Sequence, residues 1–304
     1  MSRTVVSVQE LGHATRTVYD IETTAGTFTT ASGIVLKNTD SIYCIFDVGL
    51  PVHDPRYMEA IFEISERAAE AVSALFVKPV HLEFEKAMRP LMLFSKKRYA
   101  YIPYTSPHAK GAMEVKGLAM VRRDTCPFAR SILTKTVSAI MDTSVHEGLK
   151  QATEGIRCLL DGEAPLNELV LTKSLRSEYA AATLPAHAML AERIKERSPS
   201  CYPRPGDRVP YLLVCDSQGR SPKLLRDGIE DPVYVQTNGI AVDHESYYKR
   251  QMATPLTELF TICGSRDVLD ANIVAIKRRL EKQKSSAAFL RMFFPTRAGP
   301  TLAG

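Results

Sequence analysis

The sequence predicts a multi-domain chain: a short all-β segment, then an α/β portion, then a mainly α-helical portion. Three observations predict this. Residues 1–38 are rich in Thr and Val, are punctuated by Gly12, Gly26 and Gly33, and carry no helical period. From Thr39 to Asp124, a strand pattern, an amphipathic helix pattern and further strand patterns follow one another. After Asp124, apolar residues recur at a helical period over 128–142, 144–160, 184–197, 243–260 and 268–285.

Within the first segment the expected strands are Thr17-Val18-Tyr19, Thr27-Phe28-Thr29 and Gly33-Ile34-Val35-Leu36. So short an all-β stretch cannot bury a core alone and must pair with something. A strand follows at Ser41-Ile42-Tyr43-Cys44-Ile45-Phe46, and Pro55 then opens a helix. Met58, Ile61, Phe62, Ala69, Val72 and Phe76 line one face of that helix, and Glu63, Glu66, Arg67 and Glu70 lie largely on the other. Further strands are expected at His81–Phe84, Leu91–Phe94 and Tyr99–Tyr104. The helical portion is interrupted by a β-rich insert, Val209–Cys215 and Val233–Val235. The expected divisions are 1–38, 39–125, 126–286 and a tail, 287–304.

Composition sets limits on function. The 304 residues are 45% hydrophobic, enough for more than one core. No apolar run approaches the ~18 residues of a membrane span, and the N-terminus lacks the apolar core of a secretory signal. Six scattered cysteines, none in a Cys-x-x-Cys pair, argue against a cysteine zinc site and for reduced thiols in cytosol or nucleus. The net charge is +5. Arg3, Arg16 and Lys37 balance Glu10, Asp20 and Glu22, so the whole excess lies after residue 38 and suits a polyanionic partner there.

Asn38-Thr39 joins two chemistries. An Asn amide can attack its own carbonyl and form a succinimide, and a following hydroxyl can carry an acyl group as an ester. The dipeptide is common; its context is not. Val18-Tyr19-Asp20-Ile21, Phe28 and Ser32-Gly33-Ile34-Val35-Leu36-Lys37-Asn38 resemble, at matching spacing, the two C-terminal motifs of inteins. The likeness covers residues 3–38, has the length of a naturally split C-intein and begins directly at the N-terminus. It implies a Hint-type fold completed by a partner N-intein, and trans-splicing without a cofactor. Thr39 would accept the partner's acyl group, Asn38 would cyclise, and Asp20 would help couple these steps. Two positions depart from the pattern: Lys37 stands where a His precedes the terminal Asn, and Ala25-Gly26-Thr27 occupies the region of a second His. Both histidines serve proton transfer.

The residues after Asn38 resemble a second family. Thr39-Asp40-Ser41, Leu82-Glu83-Phe84-Glu85-Lys86, Ser95-Lys96-Lys97-Arg98-Tyr99-Ala100, Lys116-Gly117-Leu118 with Val121-Arg122-Arg123-Asp124, Leu171-Thr172-Lys173, Gly206-Asp207-Arg208-Val209-Pro210-Tyr211, and Tyr247-Tyr248 with Pro255-Leu256 stand in the order of family B DNA polymerases. The likeness is to the delta type and its relatives in large DNA viruses, and runs from Thr39 to about residue 294. It implies the end of an α/β palm over 39–125 and a mainly α-helical thumb over 126–286.

The family pattern makes Asp40 the main ligand of a two-Mg²⁺ site and puts Glu85 near an additional metal position. Lys96, Lys97, Arg98 and Tyr99 would hold primer–template DNA near the growing end, with Arg122, Arg123 and Lys173 as phosphate contacts. The motif's opening Tyr-Gly-Asp is absent and would end the partner's half, which would also bring the other catalytic Asp and the dNTP-binding fingers. The expected product is therefore a replicative polymerase assembled from two halves, working in the nucleus or at a cytoplasmic viral replication site and not secreted.

Near the end, Leu290, Phe293 and Phe294 put three apolar side chains on one turn. Two readings stand: a sliding-clamp-binding peptide, or a final helix packed on the thumb. Two alternatives to splicing also stand. The splicing segment is inert and the chain is a non-covalently associated DNA-binding subunit, or the chain is a decayed gene fragment.

Overall fold

A computed structural model describes residues 18–23, 27–29, 35–37, 41–78, 81–179 and 184–293. They form a mixed α/β fold in two units, Met1–Leu118 and Ala119–Gly304.

The first unit is built on one sheet. Its strands are β1 (Val18–Thr23), β4 (Ser41–Cys44), β5 (Leu82–Ser95), β6 (Arg98–Ser106), β7 (Ala109–Lys110) and β8 (Glu114–Lys116). They run in the order β4-β1-β5-β6-β7, with β8 also on β6. β2 (Thr27–Thr29) and β3 (Val35–Lys37) pair with each other in a separate ladder. Helix α1 (Tyr57–Ser73) links β4 to β5. Both of those strands are antiparallel to β1, so they are parallel to each other with one strand between them.

Most of the apolar face read from the sequence docks α1 on the sheet, but Val72, expected on that face, is exposed. Tyr57, Met58, Ile61 and Phe62 form a buried cluster with Ala87 of β5, flanked by Cys44, Phe46, Phe84 and Tyr104. Further along, Ala69 packs with Leu82. The far end of α1 is tied down by Ser73, whose hydroxyl accepts the Leu82 amide at 2.8 Å.

The two strands expected at 81–84 and 91–94 are one strand, β5. Its pairing with β6 slips between Met88 and Leu91 and then resumes. That irregularity accommodates Pro90, which has no N–H to give the ladder.

The second unit is helical around a small sheet. α2 (Pro127–Asp142) and α3 (Val145–Leu160) form its first hairpin, with the Ser144 side chain capping α3 through the Glu147 amide at 3.2 Å. Gly148 and Gly155 let these helices approach closely. A Cβ on either would lie 2.2 Å from Ile140 Cγ1 or 2.5 Å from Ile132 Cγ2. β9 (Leu171–Ser174), β10 (Arg208–Leu213) and β11 (Ile229–Glu230) make the sheet, in the order β11-β10-β9. α4 (Ala186–Arg197) is clamped to β11 by a two-point ion pair from Arg197 to Glu230, both contacts 3.0 Å.

Residues 233–235, expected as strand, lie in helix α5 (Pro232–Asn238). The end signals decide against their β-branched side chains. The Asp231 carboxylate accepts the Tyr234 amide at 2.9 Å, Pro232 opens the first turn, and Gly239 closes the helix at φ +61°.

The long helical stretch at 243–260 is α6 (His244–Tyr247), a π-helical turn (Tyr248–Ala253) and α7 (Thr254–Ile262). The last helix, α8 (Arg266–Phe293), joins α3 where Arg279 and Arg157 share Asp161. Leu290 and Phe293 fall within its bounds, and Phe294 lies outside the described residues. Among the described residues no helix is long and apolar enough to cross a membrane. None of the six cysteines forms a disulfide.

Tyr247 fastens the sheet to the helices. Its ring is fully buried. Its hydroxyl donates to the Leu169 carbonyl at 2.7 Å and accepts the Leu213 amide at 3.0 Å. Tyr247→Phe orphans a buried amide and a buried carbonyl, so the second unit is expected to lose about 2–4 kcal/mol. Urea unfolding followed by circular dichroism measures it; an unchanged midpoint would show that the hydroxyl holds nothing.

Candidate functional site

One candidate feature is the β5–β6 turn of the first unit. Ser95 pairs with Arg98, leaving Lys96 and Lys97 exposed at the tip. Lys97 sits at φ +63°, a left-handed conformation that a lysine adopts only when its surroundings impose it. Part of that surrounding is Gly117, itself at φ +64°. A Cβ there would meet the Lys97 carbonyl oxygen at 2.2 Å. The Lys-Lys-Arg-Tyr run and the Lys-Gly-Leu run, far apart in sequence, are thus one construction, with Tyr99 paired to Lys116 across β6 and β8. Tyr99 also lies edge-on to Tyr43 of β4, ring centres 5.9 Å apart.

Beside it on β5, Glu85 is engaged by Lys86, with Oε1 to Nζ at 2.7 Å. Burial pulls the Lys86 ammonium pKa down, but hydrogen bonds to Glu85 and Tyr101 outweigh this and hold it up. The Tyr101 hydroxyl is pushed up to about 12 by burial and by its hydrogen bond to Glu114. Glu85 is the extra residue where β5 pairs with β1: Asp20 faces Lys86, and Ile21 faces Phe84. A bulge of this kind re-aims one side chain and recurs beside functional sites.

Asn38, Thr39 and Asp40 lie outside the described residues, and of Asp20 only the backbone position in β1 is described. Among the described residues, no three His, Cys, Asp or Glu side chains converge on a point. With Glu85 already paired to Lys86, they do not by themselves fit a two-ion Mg²⁺ site.

The second unit holds a basic cavity of about 590 Å³. Arg122, Arg123, Lys173, Arg176 and Arg208 line it, against the single carboxylate of Asp124. The structure brings Arg122 and Arg123 together with the distant Lys173: β9 sets Lys173 beside β10, and Arg208 of β10 donates to the Arg123 carbonyl. They are not equivalent. Arg122 is tied to Asp124 at 2.7 Å, so its charge is largely spent, and the Asp124 carboxyl is held below its usual range by that hydrogen bond.

Arg208 was not singled out as a site residue. Its guanidinium donates to Thr172 Oγ1 at 2.8 Å, to the Thr172 carbonyl at 2.7 Å, to Ser174 Oγ at 3.2 Å and to the Arg123 carbonyl at 3.3 Å. All four acceptors are neutral. Arg208 is therefore fixed in place with its charge uncancelled by them, and it buttresses the backbone that carries Arg123. The quoted run Gly206–Tyr211 contains it; only the β9–β10 register, which sets Arg208 opposite Ser174, discloses its use.

His187 forms the floor. It is buried, and its Nε2 meets the Tyr179 hydroxyl at 3.1 Å, which in turn accepts the Arg176 amide at 2.9 Å. Burial lowers its pKa, and Lys173 and Arg176 repel a further proton, so it is neutral at pH 7. Neutral His187 adds no charge, and the cavity's excess cation is left for an anion with several oxygens, such as a phosphodiester.

Comparison with known proteins decides the family. Residues 7–263 match the model of DNA polymerase family B. The chain belongs to that family. It is similar to the DNA polymerase delta catalytic subunit of Oryza sativa subsp. japonica, 33% identical over 256 residues, covering 83% of this chain and 22% of that protein. The Bos taurus delta catalytic subunit is 35% identical over 236 residues, covering 77% of this chain and 20% of that one. This family B chain thus spans about a fifth of the length of the curated relatives it matches.

The matched span begins at residue 7, not at Thr39 as the motifs suggested. In this structure the residues just before the Thr39 motif do not form a hairpin with β4. Residues 35–37 pair with 27–29, and β4 pairs with β1.

His187 and His244 both have pKa values lowered by burial. Below the ordinary histidine value of about 6.5, the unfolded chain binds more protons than the folded one. The second unit is therefore expected to lose stability as pH falls from about 7 towards 5. The paired substitution His187→Gln, His244→Gln should flatten that fall in urea unfolding; an unaltered slope would remove these residues as its cause.

Proposed function

We propose that this chain is the C-terminal half of a split DNA-directed DNA polymerase, joined to its N-terminal half by protein trans-splicing. The observation that carries this reading is the sequence Leu36-Lys37-Asn38 standing directly before Thr39-Asp40-Ser41, where the metal motif of the family opens with Tyr-Gly-Asp. The partner would end in that Tyr-Gly-Asp and carry the N-intein. Residues 1–38 would complete a Hint-type fold with it and then be released. Residues 39–125 would form the end of the palm, 126–286 the thumb, and 287–304 the chain's last segment, where Leu290, Phe293 and Phe294 would be either an apolar plug for a sliding clamp or the close of a final thumb helix.

In splicing, the Thr39 hydroxyl takes the partner's acyl group as an ester, and the group that left is the partner's N-intein. The Asn38 side-chain nitrogen then attacks its own carbonyl, breaking the Asn38–Thr39 bond. The free Thr39 amine takes the acyl group from its own oxygen, leaving an ordinary peptide bond. Asp20 assists the coupling. Lys37 occupies the position from which a histidine would assist cyclisation.

The spliced product would add deoxynucleotides from dNTPs to a primer 3′ end. Asp40 would be this half's share of the groups around two Mg²⁺ ions, with Glu85 near an additional metal position and the remaining ligands coming from the partner. The turn at Lys96, Lys97, Arg98 and Tyr99 would grip primer–template DNA, and Arg122, Arg123 and Lys173 would meet phosphates. The likeness to delta catalytic subunits supports work in a nucleus; a cytoplasmic viral replication site would rest on the sequence motifs alone.

One observation favours a second reading, in which residues 1–38 are retained and the chain is a non-covalent DNA-binding subunit: the family match begins at residue 7. Mass spectrometry after mixing the two halves separates the readings. Splicing yields a peptide running from Tyr-Gly-Asp into Thr39-Asp40-Ser41, abolished by Asn38→Ala with Thr39→Ala. Co-purification without that peptide supports the second reading.

DNA contact has its own test. Lys173→Ala is expected to weaken primer–template binding equally for all sequences and to reduce the slope of log K against log salt by about 1. Arg122→Ala, already neutralised by Asp124, should reduce it less. Fluorescence anisotropy across a salt series reads both, and equal effects would contradict the cavity electrostatics described above.

A further inference from the structure

The chain leaves the small sheet of the second unit at Arg176. Ser174 still faces Arg208 across β9 and β10. Just beyond, the Leu175 amide donates to the Asp207 carbonyl and the Leu175 carbonyl accepts the Gly206 amide, both at 2.8 Å. The next amide turns to a side chain instead: Arg176 N–H donates to the Tyr179 hydroxyl at 2.9 Å. One phenol therefore fixes the Arg176 backbone where it passes along the basic cavity, which Arg176 and Tyr179 both line.

Buried His187 fixes the phenol in turn. The two rings stand edge-on, centres 5.9 Å apart, and Nε2 lies 3.1 Å from the hydroxyl. A neutral imidazole has one N–H to give and one nitrogen that accepts. Its hydrogen bond to the Ser174 backbone favours the protonated ring, which marks the ring as the donor there. Nε2 is left to accept. The Tyr179 proton is thereby aimed at His187, and its oxygen is free to receive the Arg176 amide. The cavity's charges point the same way. Its single carboxylate, Asp124, is taken by Arg122 at 2.7 Å, so it is not left for Lys173, Arg176 or Arg208.

We propose that Lys173, Arg176 and Arg208 form a seat for one phosphate group of the nucleic-acid backbone, with Arg176 held in it by Tyr179 and His187 acting as positioning residues. Three cations on one cavity suit a group with several anionic oxygens, and a guanidinium can meet two of them at once. Naming the ligand a phosphodiester rests on the DNA-contact reading above. Tyr179 and His187 act only through Arg176: the hydroxyl holds its backbone, and the imidazole keeps that hydroxyl turned the right way.

Fluorescence anisotropy of the full chain with primer–template DNA, across a salt series, tests the seat. Arg176→Ala is expected to reduce the slope of log K against log salt by about 1. Tyr179→Phe keeps the ring against His187 but drops the Arg176 amide, and should weaken binding about three- to tenfold. Made in the Arg176→Ala chain, the same change should cost less than about twofold, because the two residues work as one unit. His187→Leu should follow Tyr179→Phe, whereas His187→Gln, which still offers an acceptor oxygen, should bind as the unaltered chain does. A Tyr179→Phe loss that persists in full without the Arg176 side chain would make Tyr179 merely structural and overturn the proposal. So would an unaltered salt slope for Arg176→Ala where Lys173→Ala lowers it. Absence of any binding that Lys173→Ala weakens would instead remove the DNA-contact reading, and the seat with it.

Discussion

The first unit depends on one constraint: β4 and β5 must be held parallel with a single strand between them. Helix α1 imposes it. Its buried face, Tyr57, Met58, Ile61 and Phe62, grips Ala87 of β5 and packs on Cys44 of β4, and fully burying side chains of this size is worth roughly 1.5–3 kcal/mol each. Once α1 is seated, β5 can turn at Lys96-Lys97 into β6, and β8 can lay Gly117 under that turn. The exposed lysines are thus a consequence of the packing beneath them. Their conformation is set by a carbonyl that only a glycine can approach so closely.

The second unit reaches a basic surface by a different route. There a two-strand register brings together cations that the sequence scatters, and neutral acceptors hold the guanidinium of Arg208 without cancelling it. Charge placed by uncharged partners is what a phosphate-binding surface requires: fixed in direction, still available to an anion. The pairing of Arg122 with Asp124 shows the contrary arrangement a few residues away. Cations of one type, on one cavity, therefore differ in what they can offer a ligand.

Much of this was legible before the structure. The apolar period of α1, the two helices α2 and α3, and the strand expected at 99–104 and found at Arg98–Ser106 follow from spacing alone, because packing and local preference agree there. The misread Val233–Val235 shows where local preference loses: β-branched residues lie in a helix because Asp231, Pro232 and Gly239 set its ends. The two strands expected within 81–94 are one, because a register slip beside Pro90 lets the strand continue. At the candidate site, the Lys-Lys-Arg-Tyr run and Lys173 could be read from motifs. Arg208 and His187 could not, since their roles come from long-range pairing and burial. Nor could the place of β1 between β4 and β5, which is a property of topology.

The proposed split makes one direct claim: the catalytic groups of this chain work only together with those of an N-terminal half. Primer extension tests it most directly, using this chain alone, the N-terminal half alone, and the two after mixing, with Mg²⁺, dNTPs and a primed template. Extension only in the mixture is the predicted result. Extension by this chain alone would contradict the account, because it would show that a complete catalytic centre is already present within these 304 residues.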